Sequence, residues 1–141
     1  MSTLLARIVV PVASEQDAIE TARALDAHDA DIGHVTVVYV VEKAGGAADK
    51  ASVEQREEAA EEAFDAFEGV LSSGDVDRRI VYDTDVVDAV LDVADEERAT
   101  AVVFTPREGG RFIRLFTGDI ALRLVTEADL PVVTLPRHED E

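Results

Sequence analysis

The chain has no cysteine and no tryptophan, and only two of its thirteen basic residues are lysines, Lys43 and Lys50. Without cysteine there can be no disulfide framework and no thiolate metal centre, so order has to come from a hydrophobic core. That usage suits a reducing, cytoplasmic setting. Long apolar runs are missing as well. No stretch approaches the roughly twenty consecutive apolar residues of a membrane-spanning helix, and no membrane partner is expected. The opening run Leu4-Leu5-Ala6-Arg7-Ile8-Val9-Val10-Pro11 is broken by Arg7 and has no basic segment before it. It reads as a buried strand rather than a signal peptide. Linkers, internal repeats and low-complexity tracts are absent too, so residues 1–141 read as one domain. A domain of this size buries roughly 68–70% of the surface its unfolded chain exposes, enough to fold without staples.

Positive charge is scarce. Thirty-one acidic residues face thirteen basic ones, giving a formal charge of −18. Neutralising phosphates requires a basic face, so nucleic acid is excluded as a partner. Acidic excess in a disordered chain comes with low hydrophobicity. Here 47% of residues are hydrophobic, and they fall at regular spacings. A carboxylate-coated, lysine-poor surface is the one expected in molar salt, where a Debye length of about 3 Å screens self-repulsion.

Catalytic signatures are also missing. The chain has no Gly-x-x-x-x-Gly-Lys-Ser/Thr phosphate loop, no Gly-x-Gly-x-x-Gly after the first strand and no Gly-x-Ser-x-Gly turn. His28, His34 and His138 are scattered, without ligand spacing, so no metal site is expected. Acid pairs such as Glu57-Glu58 and Glu61-Glu62 fall on the outward face of a helix and read as solvated surface rather than a catalytic pair. No enzymatic activity is expected.

What is present is a regular alternation. Five apolar, β-branched runs, Leu4–Val12, Val35–Val41, Arg78–Tyr82, Ala101–Phe104 and Val132–Leu135, read as strands, and most of them are short continuous apolar runs that fit strands covered on both faces. Four amphipathic segments separate them. The first starts at the N-cap Ser14, has Asp17 in a near capping-box position, and turns Ile19, Ala22 and Leu25 inward. The second covers Ser52–Leu71, with Val53, Ala60, Phe64, Phe67 and Leu71 on one face. The third covers Val86–Arg98 behind the caps Thr84 and Asp85, and buries Val87, Val90, Leu91 and Ala94. The fourth begins near Gly118 and buries Ile120, Ala121, Leu124 and Val125. Strict alternation predicts an α/β fold with a parallel sheet and right-handed crossovers. Two loops stand out: Glu42–Ala51, with Gly45-Gly46, and Thr105–Thr117, with Gly109-Gly110, which is longer than an ordinary strand-to-helix turn.

Taken in order, several pieces resemble the universal stress protein family over nearly the whole chain. They are Ile8-Val9-Val10-Pro11-Val12, Val35-Thr36-Val37-Val38-Tyr39-Val40-Val41, Ala94-Asp95-Glu96-Glu97, and the closing Arg107…Phe116-Thr117-Gly118-Asp119…Leu130-Pro131-Val132-Val133. The resemblance is to a salt-adapted, haloarchaeal-like member whose ATP motif is degenerate. It implies a Rossmann-like, adenine nucleotide alpha hydrolase-like sheet in the order 3-2-1-4-5, with helices on both faces. The candidate site is then the switch point at the ends of strands 1 and 4. Its residues are Pro11, Ala13, Val41, Thr105, Arg107, Glu108, Gly109, Gly110, Gly118 and Asp119.

ATP-binding members of that family carry Gly-x-x-Gly, nine residues, then Gly-Ser/Thr after strand 4. Glycines let the backbone approach phosphates, and the next helix N-terminus offers free N–H groups. Here those positions are Thr105, Glu108, Gly118 and Asp119, so Gly118 alone matches, and the family's aspartate after strand 1 falls on Ala13. A carboxylate about 5 Å from a phosphate costs roughly 3 kcal/mol at an effective dielectric of 20, or about two decades of affinity. At Asp119 the acid also suits a helix first turn.

Against this, Arg107, Arg111, Arg114 and Arg123 cluster beside Gly109-Gly110. They are expected either to pair with acids such as Glu108 and Asp119 or to line a remodelled anion-binding loop. The expectation is a stress-responsive, non-enzymatic binding protein with an unidentified protein partner or small ligand and no required cofactor, ATP being disfavoured. The alternative is a nucleotide-binding module using the remodelled loop. The resemblance also implies a homodimer formed through Val132, Val133, Thr134 and Leu135 of the edge strand.

Overall fold

The computed structural model describes residues 4–27, 32–42, 50–71, 75–105 and 118–135, with the backbone alone at 42, 50–52, 118 and 119. The elements alternate as β1 (Arg7–Val12), α1 (Glu15–Ala27), β2 (His34–Glu42), α2 (Lys50–Val70), β3 (Asp75–Asp83), α3 (Val86–Glu96), β4 (Ala101–Phe104), α4 (Gly118–Glu127) and β5 (Val132–Thr134). The strands form one sheet in the order β3-β2-β1-β4-β5, and every pairing is parallel.

Strand alternation divides the core between the two faces of the sheet. Ile8, Val10 and Val12 of β1, Val35 and Val37 of β2, and Ala101 and Val103 of β4 pack against α1 and α2, with Phe64 and Phe67 as the largest side chains there. Val9, Val38, Val40, Val102 and Phe104 point the other way, towards α3 and Leu124 of α4. These strands are buried on both faces, which is why they read as continuous Val-rich runs.

The outermost strand β3 obeys the same rule with charges. Successive residues Arg78 and Arg79 face opposite sides. Arg78 reaches Glu61, Asp65 and Glu68 of α2 at 2.8, 2.7 and 2.7 Å. Arg79 reaches Glu96 at the end of α3 and the adjacent Glu97, at 2.8 and 2.9 Å. Tyr82 donates to Glu57, an interaction that raises its pKa above the ordinary phenol value. A charged strand of this kind blunts an exposed sheet edge.

Several element limits differ from the sequence reading. β1 starts at Arg7 instead of Leu4, because Leu5 and Ala6 carbonyls accept from Gly33 and His34 in a turn-like approach ahead of the strand. A Cβ on Gly33 would lie 2.3 Å from the Ala6 oxygen, so only glycine fits there. β2 gains His34 and Glu42, and α2 spans Lys50–Val70 instead of Ser52–Leu71. β3 extends to Asp75–Asp83 because it follows all nine residues of β2, and its polar beginning had hidden it. α3 ends at Glu96, and Arg98 follows in the left-handed region with φ 56°. β5 ends at Thr134, one residue short of Leu135.

Two inward assignments also shift. On α1 the buried stripe is Asp17, Ala18, Thr21, Ala22, Ala24 and Leu25, leaving Ile19 half-buried. On α4 Leu124 is buried and Ile120 and Ala121 half-buried, but Val125 is 55% exposed.

Candidate functional site

β1 pairs with β2 on one side and with β4 on the other, so the carboxyl ends of β1 and β4 form the switch point of the sheet. In open α/β sheets this is where ligands bind. The described residues bring together Pro11 and Ala13 from the end of β1, Val41 from β2 and Thr105 just past β4. Pro11, Val41 and Thr105 are buried, and Ala13 is half-buried. Gly118 and Asp119 are the first two residues of α4. Arg107, Glu108, Gly109 and Gly110 lie outside the described residues, as do Arg111 and Arg114.

The polar chemistry of this end comes from α1. Its N-terminus is fixed by Ser14, whose Oγ accepts the Asp17 N–H at 3.0 Å, the N-cap bond expected of serine. Asp17 itself is 1% exposed, and its Oδ2 accepts the Ala13 N–H at 2.8 Å. One turn further, the fully buried Thr21 and Thr105 hydroxyls lie 2.8 Å apart. The buried polar side chains among the described residues are Asp17, Thr21, Thr36 and Thr105. Three of these four belong to this cluster, so it marks the chemically distinct part of an otherwise apolar core.

Ala13 and Thr105, the two mapped positions whose side chains are described, are therefore already engaged. The backbone donor at Ala13 is satisfied by the Asp17 carboxyl group. At Thr105, where a glycine would let the backbone approach a phosphate, a side chain is present and is hydrogen-bonded to α1. Buried polar groups of this kind are costly to leave unpaired, so a ligand that displaced them would have to replace both bonds.

The sequence alone gives Asp17 a helix-capping role and does not distinguish Thr21. The available signal was periodicity: positions 17, 21 and 25 fall on the same helical stripe as Ala18 and Ala22. Polar residues inside an apolar stripe mark a buried polar contact.

Arg123, one of the clustered arginines, has two described acidic partners, while Glu108 and the side chain of Asp119 lie outside the described residues. It meets Asp85 Oδ2 and Glu127 Oε2, each at 3.0 Å, and so ties α4 to the beginning of α3. Asp85 is the N-cap of α3 and accepts the Asp88 N–H at 3.0 Å. That backbone bond, followed by the Arg123 contact, holds the Asp85 pKa below its ordinary carboxylate value. The negative charge of Asp85 in turn raises the pKa of Asp88.

The fold defines a class: open parallel α/β proteins with a topological switch point, here between β1 and β4. The universal stress protein family model matches residues 5–136, and the chain belongs to that family. Among solved structures, it is similar to a universal stress protein from Archaeoglobus fulgidus at 22% identity and TM-score 0.66, covering 92% of this chain and 97% of that one. Similarity to UspA from Lactobacillus plantarum is 19% identity and TM-score 0.65, with 95% and 99% covered. An Archaeoglobus fulgidus universal stress protein in complex with dAMP matches at 23% identity and TM-score 0.63, with 94% and 99% covered. No curated protein is similar enough in sequence to count as a match.

Proposed function

We propose that this universal stress protein is a stress-responsive binding protein without enzymatic activity, acting in the cytoplasm as a homodimer and without tight ATP binding. The observation that carries this reading is the engagement of Ala13 by Asp17 and of Thr105 by Thr21, which occupies the described part of the cleft with the protein's own polar groups. Dimerisation is supported by the far side of β5. Val132, Val133 and Leu135 are only half-buried, and Leu122 and Val125 of the neighbouring α4 are 62% and 55% exposed. A short apolar edge flanked by exposed aliphatic side chains is a surface that proteins cover or pair. Antiparallel pairing of two β5 strands about a twofold axis would satisfy the edge backbone groups.

A second reading, a nucleotide-binding module using the remodelled β4–α4 loop, draws support from the solved relatives in complex with dAMP and with cAMP. It also draws on the placing of Arg107, Arg111 and Arg114 in one segment of a chain of charge −18. Calorimetric titration with ATP in molar KCl separates the two. Binding weaker than about 100 μM is expected, and a Kd below about 1 μM, some two decades tighter, would favour the second reading.

A further inference from the structure

A second concavity lies at the opposite end of the sheet. Its walls are the last turns of α3 and the segment from the end of α4 to β5, and it encloses about 500 Å3. The floor is apolar, formed by Leu91 and Ala94 of α3 with Ala99 and Leu130. Ala99 and Leu130 immediately precede β4 and β5, so this groove opens at the amino ends of the strands, away from the switch point. The volume falls in the range of small-molecule sites, roughly 300–1,000 Å3.

Three arginines gather part of the acidic surface, Arg78 with three carboxylates and Arg79 and Arg123 with two each. Other acids, such as Glu54, Glu58 and Glu62 of α2, have no ion pair among the described residues and line a groove with Ile80 as its one aliphatic side chain, so the present groove differs in its apolar floor. At the groove, Asp92 and Asp95 on the α3 wall and Asp129 on the other have no ion pair or side-chain hydrogen bond among the described residues. Glu127, held by Arg123, completes the rim. Both helices end here with no basic residue in the last turn, so the negative ends of two helix dipoles add to the carboxylates. These carboxylates do not converge: among the described residues no set of three could hold a metal ion. Separated anions across an apolar floor complement an elongated organic cation.

We infer that this groove binds an aliphatic polyamine. Its methylene chain lies over Leu91, Ala94, Ala99 and Leu130, and its ammonium groups reach Asp92 and Asp95 at one wall and Asp129 and Glu127 at the other. Arg98, also on the rim, opposes a cationic occupant. It sits at the left-handed position after α3, where Arg98 N–H meets the Asp95 carbonyl at 3.2 Å and Ala99 N–H the Ala94 carbonyl at 2.9 Å. Glycine is the preferred residue at such a helix end, so Arg98→Gly removes the opposing charge without disturbing the turn.

The test is calorimetric titration of the full chain with spermidine at fixed ionic strength. One-to-one binding is expected. The exposed pair Asp92→Asn with Asp129→Asn should weaken it by about tenfold, whereas Glu54→Gln with Glu58→Gln on α2, an equal change in net charge, should weaken it less than about twofold. Arg98→Gly should tighten it severalfold, and magnesium at matched ionic strength should not displace spermidine. Equal weakening by the two double variants, displacement by magnesium, or an undefined stoichiometry would overturn the assignment by reducing it to the general acidity of the surface. None of these outcomes depends on whether the switch-point cleft takes ATP.

Discussion

Arg78→Ala removes one cation from three carboxylates at once, and its cost can be worked from the structure. The guanidinium contacts Glu61, Asp65 and Glu68 at 2.8, 2.7 and 2.7 Å and lies 5.7 Å from the Phe64 ring centroid. The side chain is 33% exposed and its partners are 57%, 71% and 36% exposed, so each pair is discounted to about 0.5 kcal/mol. The cation–π contact adds about 0.5 kcal/mol. Truncation also leaves Glu61–Asp65 and Asp65–Glu68 as unrelieved like-charge neighbours one helical turn apart, costing about 0.3 kcal/mol per pair. The expected total is about 2–3 kcal/mol at low ionic strength. For a domain of this length that lowers Tm by roughly 5–10 °C. In molar KCl the Debye length of about 3 Å screens the repulsions first, and the loss should fall to about half. Melting followed by circular dichroism in tens of millimolar and in molar KCl reads both values. A loss under about 0.5 kcal/mol at low salt, well below the sum of exposed pairs, would refute the network reasoning. So would a loss that is the same at both salt concentrations.

The remaining predictions follow from the same charges and edges. The wild-type protein should melt cooperatively in molar KCl and be markedly destabilised in tens of millimolar salt, and an unchanged circular-dichroism melt would contradict salt adaptation. Asp85→Ala should cost about 1–2 kcal/mol by removing both the α3 cap and the Arg123 contact, while Asp85→Asn, which keeps the cap, should cost clearly less. Because folding depresses the Asp85 pKa, its contribution is complete above the ordinary carboxylate value and is lost as pH falls through the folded-state value. The difference in Tm between wild type and Asp85→Ala should therefore shrink on acidification, as differential scanning at pH 7 and at pH 3 would record. Val133→Lys should convert dimers to monomers in light scattering at molar salt, and a wild-type mass corresponding to one 15.2 kDa chain would remove the dimer from the account.

The doubly covered strands were legible because burial on both faces leaves no alternation, only continuous apolar residues, as in Ile8–Val12 and Ala101–Phe104. The start of β3 was not, since Asp75 and Asp77 belong to a charged edge strand that is held by β2 and carries little apolar signal of its own. Periodicity placed α4 but could not tell that Val125 would be 55% exposed, because helical spacing does not report how much of a helix face its neighbours cover. At the cleft, the sequence reading singles out Ala13 and Thr105 as departures from an ATP-binding pattern. What occupies those positions was hidden, because it depends on α1 bringing Asp17 and Thr21 against strands distant in the chain: Thr21 and Thr105 are 84 residues apart. Such contacts follow from topology, which local spacing does not report.

The central claim is that α1 fills the described part of the switch-point cleft with its own polar groups. It is tested most directly by titrating ATP in molar KCl into the wild-type protein and into Asp17→Ala with Thr105→Gly. The account predicts negligible binding by the wild type and a gain of about tenfold or more in the variant, as the Ala13 N–H is freed and the backbone past β4 is opened. Submicromolar binding by the wild type, abolished by the same double change, would contradict it.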